Sequence, residues 1–124
     1  MANVKSERLK PMVITDPETG HEYTLEFNRK SVRKCEAAGL DINLTASKSM
    51  TMLPLLFWGA FQMHHPNMKQ EATDKILFDG LGGLSGEELE YLVNLYAEPF
   101  KCLIADIDDG EDTKNPPRKM TVKF

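Results

Sequence analysis

The stretch from Thr51 to Pro66, T-M-L-P-L-L-F-W-G-A-F-Q-M-H-H-P, constrains this chain more than any other. It holds the only tryptophan, Trp58, together with Phe57, Phe61 and three leucines, and it carries no Asp, Glu, Lys or Arg. Its apolar residues fall on every side of a helix, and a helix that is apolar all round has to be covered all round. It is too short to span a bilayer, which takes about 20 apolar residues. The expectation is an innermost helix, Thr51–His65, against which the other elements pack. Thr51 is the candidate N-cap, Pro54 falls in the first turn, where a missing N–H costs little, and Pro66 stops the helix.

The segments before it supply a hairpin and a helix. Met12–Thr15 is short and β-rich, and Asp16-Pro17-Glu18-Thr19-Gly20 has the Pro-early, Gly-late pattern of a five-residue hairpin loop. His21–Phe27 alternates, with Tyr23, Leu25 and Phe27 on one face and Glu22, Thr24 and Glu26 on the other, the period of a half-buried strand. A lone hairpin is marginal in water, so the Tyr23/Leu25/Phe27 face is expected on the helices. Asn28 caps a helix over Arg29–Ala38, with a thin apolar stripe from Val32, Cys35, Ala37 and Ala38. Gly39 suits its C′ position, and Leu40 can fold back on its last turn. Asp41–Lys48 reads as a polar linker.

After Pro66, Asn67 and Gln70 have capping-box spacing for a helix to about Phe78, with Met68, Ala72, Ile76 and Leu77 in register. Gly80-Leu-Gly-Gly-Leu84 breaks it. Ser85-Gly-Glu-Glu88 is a second capping box, opening a helix with apolar positions Leu89, Leu92, Val93, Tyr96, Phe100, Leu103 and Ile104, which Pro99 should interrupt. Asp106–Asp112 is acidic and Lys114–Lys123 basic. Met120, Val122 and Phe124 alternate, which leaves a C-terminal strand and an irregular tail as alternatives. The predicted class is α+β: a mainly α-helical single domain of about four helices with an N-terminal β-hairpin, spanning residues 1–105, then a tail over residues 106–124.

The totals exclude several functions. A chain of 124 residues is one domain by size and can bury a core without disulfides or metals. A net charge of −4 argues against general nucleic-acid binding, which needs a basic face. The N-terminus is polar and lacks the apolar h-region of a secretory leader. Cys35 and Cys102 form no C-x-x-C pair and suit single thiols in a reducing compartment, so the expected location is the cytoplasm. Seven methionines are many for this length. Methionine fills core gaps and also lines adaptable binding surfaces, and Met50, Met52 and Met63 flank the central helix, where they could do either.

No pattern of reactive residues stands out. His64 and His65 are adjacent and point about 100° apart on a helix, so both cannot easily bind one ion, and no Cys, Asp or Glu stands beside them at ligand spacing. The glycines at 80, 82 and 83 follow a helix and precede no Lys-Ser/Thr, unlike a phosphate loop. An EF-hand starting at Asp106 would put Gly110 at position five and Pro117 at position twelve, where that motif needs other residues. Cys35 sits in an apolar stripe, which favours core packing over nucleophilic use. Glu22 and Glu26 alternate onto the solvent face. No catalytic residue, cofactor site or metal site is expected.

The order of three blocks resembles a known family. Tyr23-Thr-Leu-Glu-Phe-Asn-Arg-Lys-Ser-Val32 with Glu36-x-x-Gly39, then Leu56-Phe-Trp-Gly-Ala-Phe-Gln-Met-His-His-Pro66, then Leu84 to Tyr96 with E-x-L-x-x-L-x-x-L-Y, resemble the tail assembly chaperones of long-tailed bacteriophages and prophages of Gram-positive bacteria. No single motif is diagnostic, and the segment from Asp106 onward matches nothing in that family. The resemblance implies a non-enzymatic protein of the host cytoplasm. It would coat the tape measure protein before the tail tube polymerises, self-associate, and be absent from the finished virion; the major tail protein is a second candidate partner. A structural tail or neck component and a small helical regulatory adaptor are the alternatives. The residues suggest where a partner helix could lie: Met50, Met52, Trp58 and Met63, on the parts of the central helix that stay accessible. The competing expectation is that the whole helix is core.

Overall fold

The structure is a computed structural model that describes residues 9–102, 120 and 122–124. Two short antiparallel strands, β1 (Met12–Thr15) and β2 (Glu22–Leu25), form the hairpin, with Met12 opposite Leu25 and Thr15 opposite Glu22. The Asp16 N–H donates to the His21 carbonyl (2.8 Å), so these two residues extend the pairing and the loop proper is 17–20. Asp16 Oδ1 accepts from the Glu18 N–H, and Gly20 closes the turn at φ 75°. Tyr23 is half-buried, while Leu25 and Phe27 are buried, so the alternating face does lie on the helices.

Helix α1 (Arg29–Ala37) starts from Asn28, whose side chain accepts from the Ser31 N–H while the Ser31 hydroxyl accepts from the Asn28 N–H. It ends in a Schellman motif: Leu40 N–H donates to the Cys35 carbonyl, Gly39 N–H to the Glu36 carbonyl, and Gly39 takes φ 106°. Leu40 folds back and is buried. The buried face is Ser31, Val32 and Cys35; Ala37 and Ala38 are exposed, because the last turn rotates them away from the core. The expected linker contains a 3₁₀ turn, Ile42–Leu44, capped by Asp41.

Helix α2 (Ser49–Phe61) is the centre of the core. Leu55, Leu56, Phe57, Ala60 and Phe61 are buried and pack with Leu25, Phe27, Cys35, Leu77, Leu92 and Leu95. Burying each large side chain contributes roughly 1.5–3 kcal/mol. The helix begins two residues before Thr51, with Lys48 at the N-cap and no side-chain cap. Pro54 is therefore the sixth helical residue and not a first-turn one, and the Met50 carbonyl has no N–H four residues on to accept from. The helix stops at Phe61, before the expected His65, and its last carbonyls find other donors. Trp58 takes the Gln62 side-chain amide, Gly59 the Gln62 N–H, Ala60 the Glu26 N–H (3.0 Å) and Phe61 the His65 N–H.

Helix α3 (Gln70–Lys75) has Lys69 at its N-cap, so the Asn67–Gln70 box does not form. Its buried residue is Thr73, whose hydroxyl bonds the Gln70 carbonyl, while Ala72 is exposed. The chain continues as a π-helical turn, Ile76–Gly80, which rotates Leu77 into the core and Phe78 out. Gly82 and Gly83, at φ 69° and 97°, turn the chain into α4 (Gly86–Ala97). Ser85 and Glu88 form the expected reciprocal box, with Glu88 N–H to Ser85 Oγ at 3.1 Å and Ser85 N–H to Glu88 Oε1 at 2.8 Å. Leu92, Leu95 and Tyr96 are buried, and Tyr96 meets Phe27 edge to face at 5.2 Å.

Before Pro99 the helix gives way to a 3₁₀ helix, Glu98–Cys102, which returns to α1. The fold is thus a small, mainly helical α+β domain, with four α-helices on a two-stranded hairpin among the described residues. Leu103, Ile104 and the acidic segment lie outside the described residues. At the C-terminal end the described residues 120 and 122–124 are irregular and exposed, and no third strand joins the sheet among the described residues.

Candidate functional site

Of the four candidate partner-binding residues, only Met50 is strongly exposed, at 80%. Met52, two positions on and about 200° round the helix, is 7% exposed, and its Sδ accepts from the Asp41 N–H at 3.4 Å. Trp58 is half-buried, and its indole N–H donates to the Met68 carbonyl at 3.1 Å, with the Lys34 ammonium 6.0 Å from the ring centroid. Met63 is half-buried beyond the other end of α2 and lines a separate cleft with Lys34 and Gln62. Met50 and Met63 are thirteen positions apart, about 20 Å along a helix, so the structure does not bring the four together.

Met50 joins a different set. It stands on one wall of a groove of about 170 Å³, with Ser49, Leu53 and Pro54 from α2 facing Leu77, Phe78, Gly83 and Leu84. None of these eight residues is charged. Phe78 is 48% exposed, and Leu81, close by in sequence on the same turn, is 39% exposed. The π-turn builds the far wall: the Leu81 N–H reaches back five residues to the Ile76 carbonyl (2.8 Å), and the Gly83 N–H bonds the Leu77 carbonyl (2.9 Å). Such turns inside helices recur at functional sites. Phe78 was hidden in the sequence because it reads as the last residue of an ordinary helix. The only hint was the cluster of glycines directly after it.

The titratable groups make no reactive constellation. The two adjacent histidines diverge: His64 Nε2 meets Glu26 Oε1 at 2.8 Å, while His65 Nε2 accepts the Thr24 N–H at 3.1 Å. Glu26 is therefore drawn in against His64 with its side chain 18% exposed, whereas Glu22 is exposed as expected. His65 lies edge to face with Tyr23, and burial, with the neighbouring His64 and His21, pushes its pKa below the ordinary value. A neutral ring is what the hydrogen bond requires, since Nε2 can accept only when unprotonated. Among the described residues no group of three or more His, Cys, Asp or Glu is placed to hold a metal ion, and no helix is long and apolar enough to cross a membrane.

Cys35 is fully buried, and burial pushes its thiol up to about 12, which keeps it protonated and a poor nucleophile. It packs against the bare Cα of Gly59, where a Cβ would overlap its Sγ. That contact sets how closely α1 approaches α2.

No curated protein and no solved structure matches the chain. One family does, over residues 1–124, described as a domain of unknown function. With its whole length inside that match, the chain belongs to the DUF5055 family.

Proposed function

We propose that this protein is a non-enzymatic tail assembly chaperone of a long-tailed bacteriophage or prophage. It binds the tape measure protein and keeps it soluble in the host cytoplasm while the tail is built. The observation that carries this reading is the uncharged groove between α2 and the π-turn, with Met50 and Phe78 standing exposed at its edge. A contiguous apolar surface is a common mark of a protein-binding site, and an apolar helix face laid in a groove is a recurring mode of capture. A tape measure protein is a long helical chain rich in such faces, and the order of the three sequence blocks favours it over other apolar partners.

The test is co-expression with the tape measure protein of the same genome. The soluble fraction of that protein should rise when this chain is present and fall back when it carries Met50→Lys or Phe78→Lys. Met50 is 80% and Phe78 48% exposed, so circular dichroism of the two variants should be unchanged. A soluble fraction that ignores the presence of this chain would refute the role. Mass spectrometry of purified virions separates the alternative: a structural tail component would be found there, and a chaperone would not.

A further inference from the structure

We propose that β1 pairs with β1 of a second copy of this chain, antiparallel and about a two-fold axis at Ile14, so that two hairpins become one continuous sheet. The two edges of the hairpin are unequal. In an antiparallel pair, successive residues turn their N–H and C=O alternately toward the partner strand and away from it. Asp16 bonds His21, and the pairs Ile14–Tyr23 and Met12–Leu25 continue that register, so Val13 and Thr15 turn outward on β1, as Thr24 and Glu26 do on β2. The β2 amides are used: the Thr24 N–H donates to His65 Nε2 and the Glu26 N–H to the Ala60 carbonyl. Among the described residues nothing bonds the outward N–H or C=O of Val13 or Thr15. Val13 is 53% exposed, and Pro11 and Thr15 beside it are exposed too.

An open edge is commonly blunted by a charge or a proline in the strand. Met12–Thr15 has neither, and what flanks it is symmetrical about Ile14. Prolines stand three positions away on each side, at 11 and 17, and opposite charges four positions away, at Lys10 and Glu18, both exposed. Antiparallel pairing centred on Ile14 therefore sets Val13 of each copy against Thr15 of the other, and their outward N–H and C=O groups satisfy one another. Cross-strand contact of such β-branched side chains is itself favourable. The ladder ends where Pro11 meets Pro17, neither of which has an N–H to give. Beyond them Lys10 of one copy lies toward Glu18 of the other, at both ends. A pairing of this kind uses the same patch on both partners and closes at two copies. It also joins each hairpin, marginal alone, to a wider sheet. The edge is separate from the groove, which is walled by Ser49, Met50, Leu53 and Pro54 of α2 and by the chain at 77–84.

Sedimentation velocity over a dilution series tests the association, and amide hydrogen exchange tests the surface. The wild-type chain should be dimeric when concentrated and dissociate on dilution, with the Val13 and Thr15 amides protected only where the dimer forms. Val13→Pro removes an outward N–H and leaves the β1–β2 bonds in place, a change edge strands tolerate. It should be monomeric at every concentration with its circular dichroism kept. Lys10→Glu and Glu18→Lys should each weaken the dimer several-fold, and an equimolar mixture of the two should restore it, since each end then joins unlike charges. The exchange and charge-reversal results decide the matter whether or not Val13→Pro folds. A chain that stays monomeric, a dimer indifferent to Val13→Pro, or a mixture no tighter than its components would each overturn the proposal. So would protection of Val13 and Thr15 that ignores concentration, which would assign the edge to a segment of the same chain.

Discussion

The contact between Gly59 and Cys35 is the sharpest place to test the packing of α1 on α2. Gly59→Ala adds a methyl that overlaps Cys35 Sγ and sits 3.3 Å from Phe27 Cε1, both on fully or almost fully buried side chains. Alanine is favoured over glycine inside a helix by roughly 0.5–1 kcal/mol. Overpacking a filled core costs about 1–3 kcal/mol. Cys35 could rotate away, but helical backbone disfavours one of its three rotamers and the neighbouring core fills the space around it. The clash outweighs the propensity gain, and Gly59→Ala should destabilise by about 1–2 kcal/mol.

Cys35→Ala alone removes the sulfur, leaves a small void, and should cost about 1–2 kcal/mol. Together the two changes should do less harm than either alone, because the new methyl fills the space the sulfur leaves. The expected coupling is about 1–3 kcal/mol in the stabilising direction. Urea unfolding of the four proteins measures it, with midpoints shifting at constant m; in thermal melts each kcal/mol is worth about 3–6 °C at this size. A neutral or stabilising Gly59→Ala, or effects that add within about 0.5 kcal/mol, would refute the helix–helix contact as described.

Further outcomes follow from other local geometry. His65 has a depressed pKa, so the unfolded chain takes up a proton that the folded chain resists. Stability should be full above the ordinary histidine value and fall as pH drops below it, and His65→Gln, which can still accept from Thr24, should flatten the acid side of a plot of urea midpoint against pH. Ser85→Ala removes an N-cap with both bonds of its box in place and should cost about 1 kcal/mol, with faster hydrogen exchange confined to the first turn of α4. In a Cys102→Ser background, Cys35 should react with a thiol reagent only as fast as the domain opens, so that adding urea and not raising pH controls the labelling rate. Gly39→Ala, at φ 106°, should destabilise by about 1 kcal/mol or more in chemical denaturation, since alanine resists the left-handed conformation the Schellman motif needs.

The parts of this fold that sequence reveals are those where one local rule acts alone. Alternation at Tyr23, Leu25 and Phe27 has a single meaning, and the hairpin follows. Asn28 and Gly39 mark the two ends of α1, and Ser85 with Glu88 marks the start of α4, each by a local capping rule. Where tertiary packing chooses among near-equal options, local reading fails. Thr51 is a good cap, but starting α2 two residues earlier places Met52 inside and lets its sulfur meet the Asp41 amide. Asn67 and Gln70 could cap α3, yet the chain there is held by Trp58 and Gln62, both donating to the Met68 carbonyl, and the helix starts later. The groove was the least legible. It depends on a π-turn that shifts Phe78 outward, and the hydrophobic pattern of an α-helix cannot encode that shift.

One bond described above has an unusual standing toward mutation. The hairpin and the end of α2 are joined main chain to main chain, from the amide of residue 26 to the carbonyl of residue 60. Exchanging either side chain leaves the two atoms in place, and among the twenty amino acids only proline at position 26 deletes the donor. The seam between sheet and rod can thus persist through wholesale change of the residues that flank it, and a scan of alanine substitutions would pass over it without a signal.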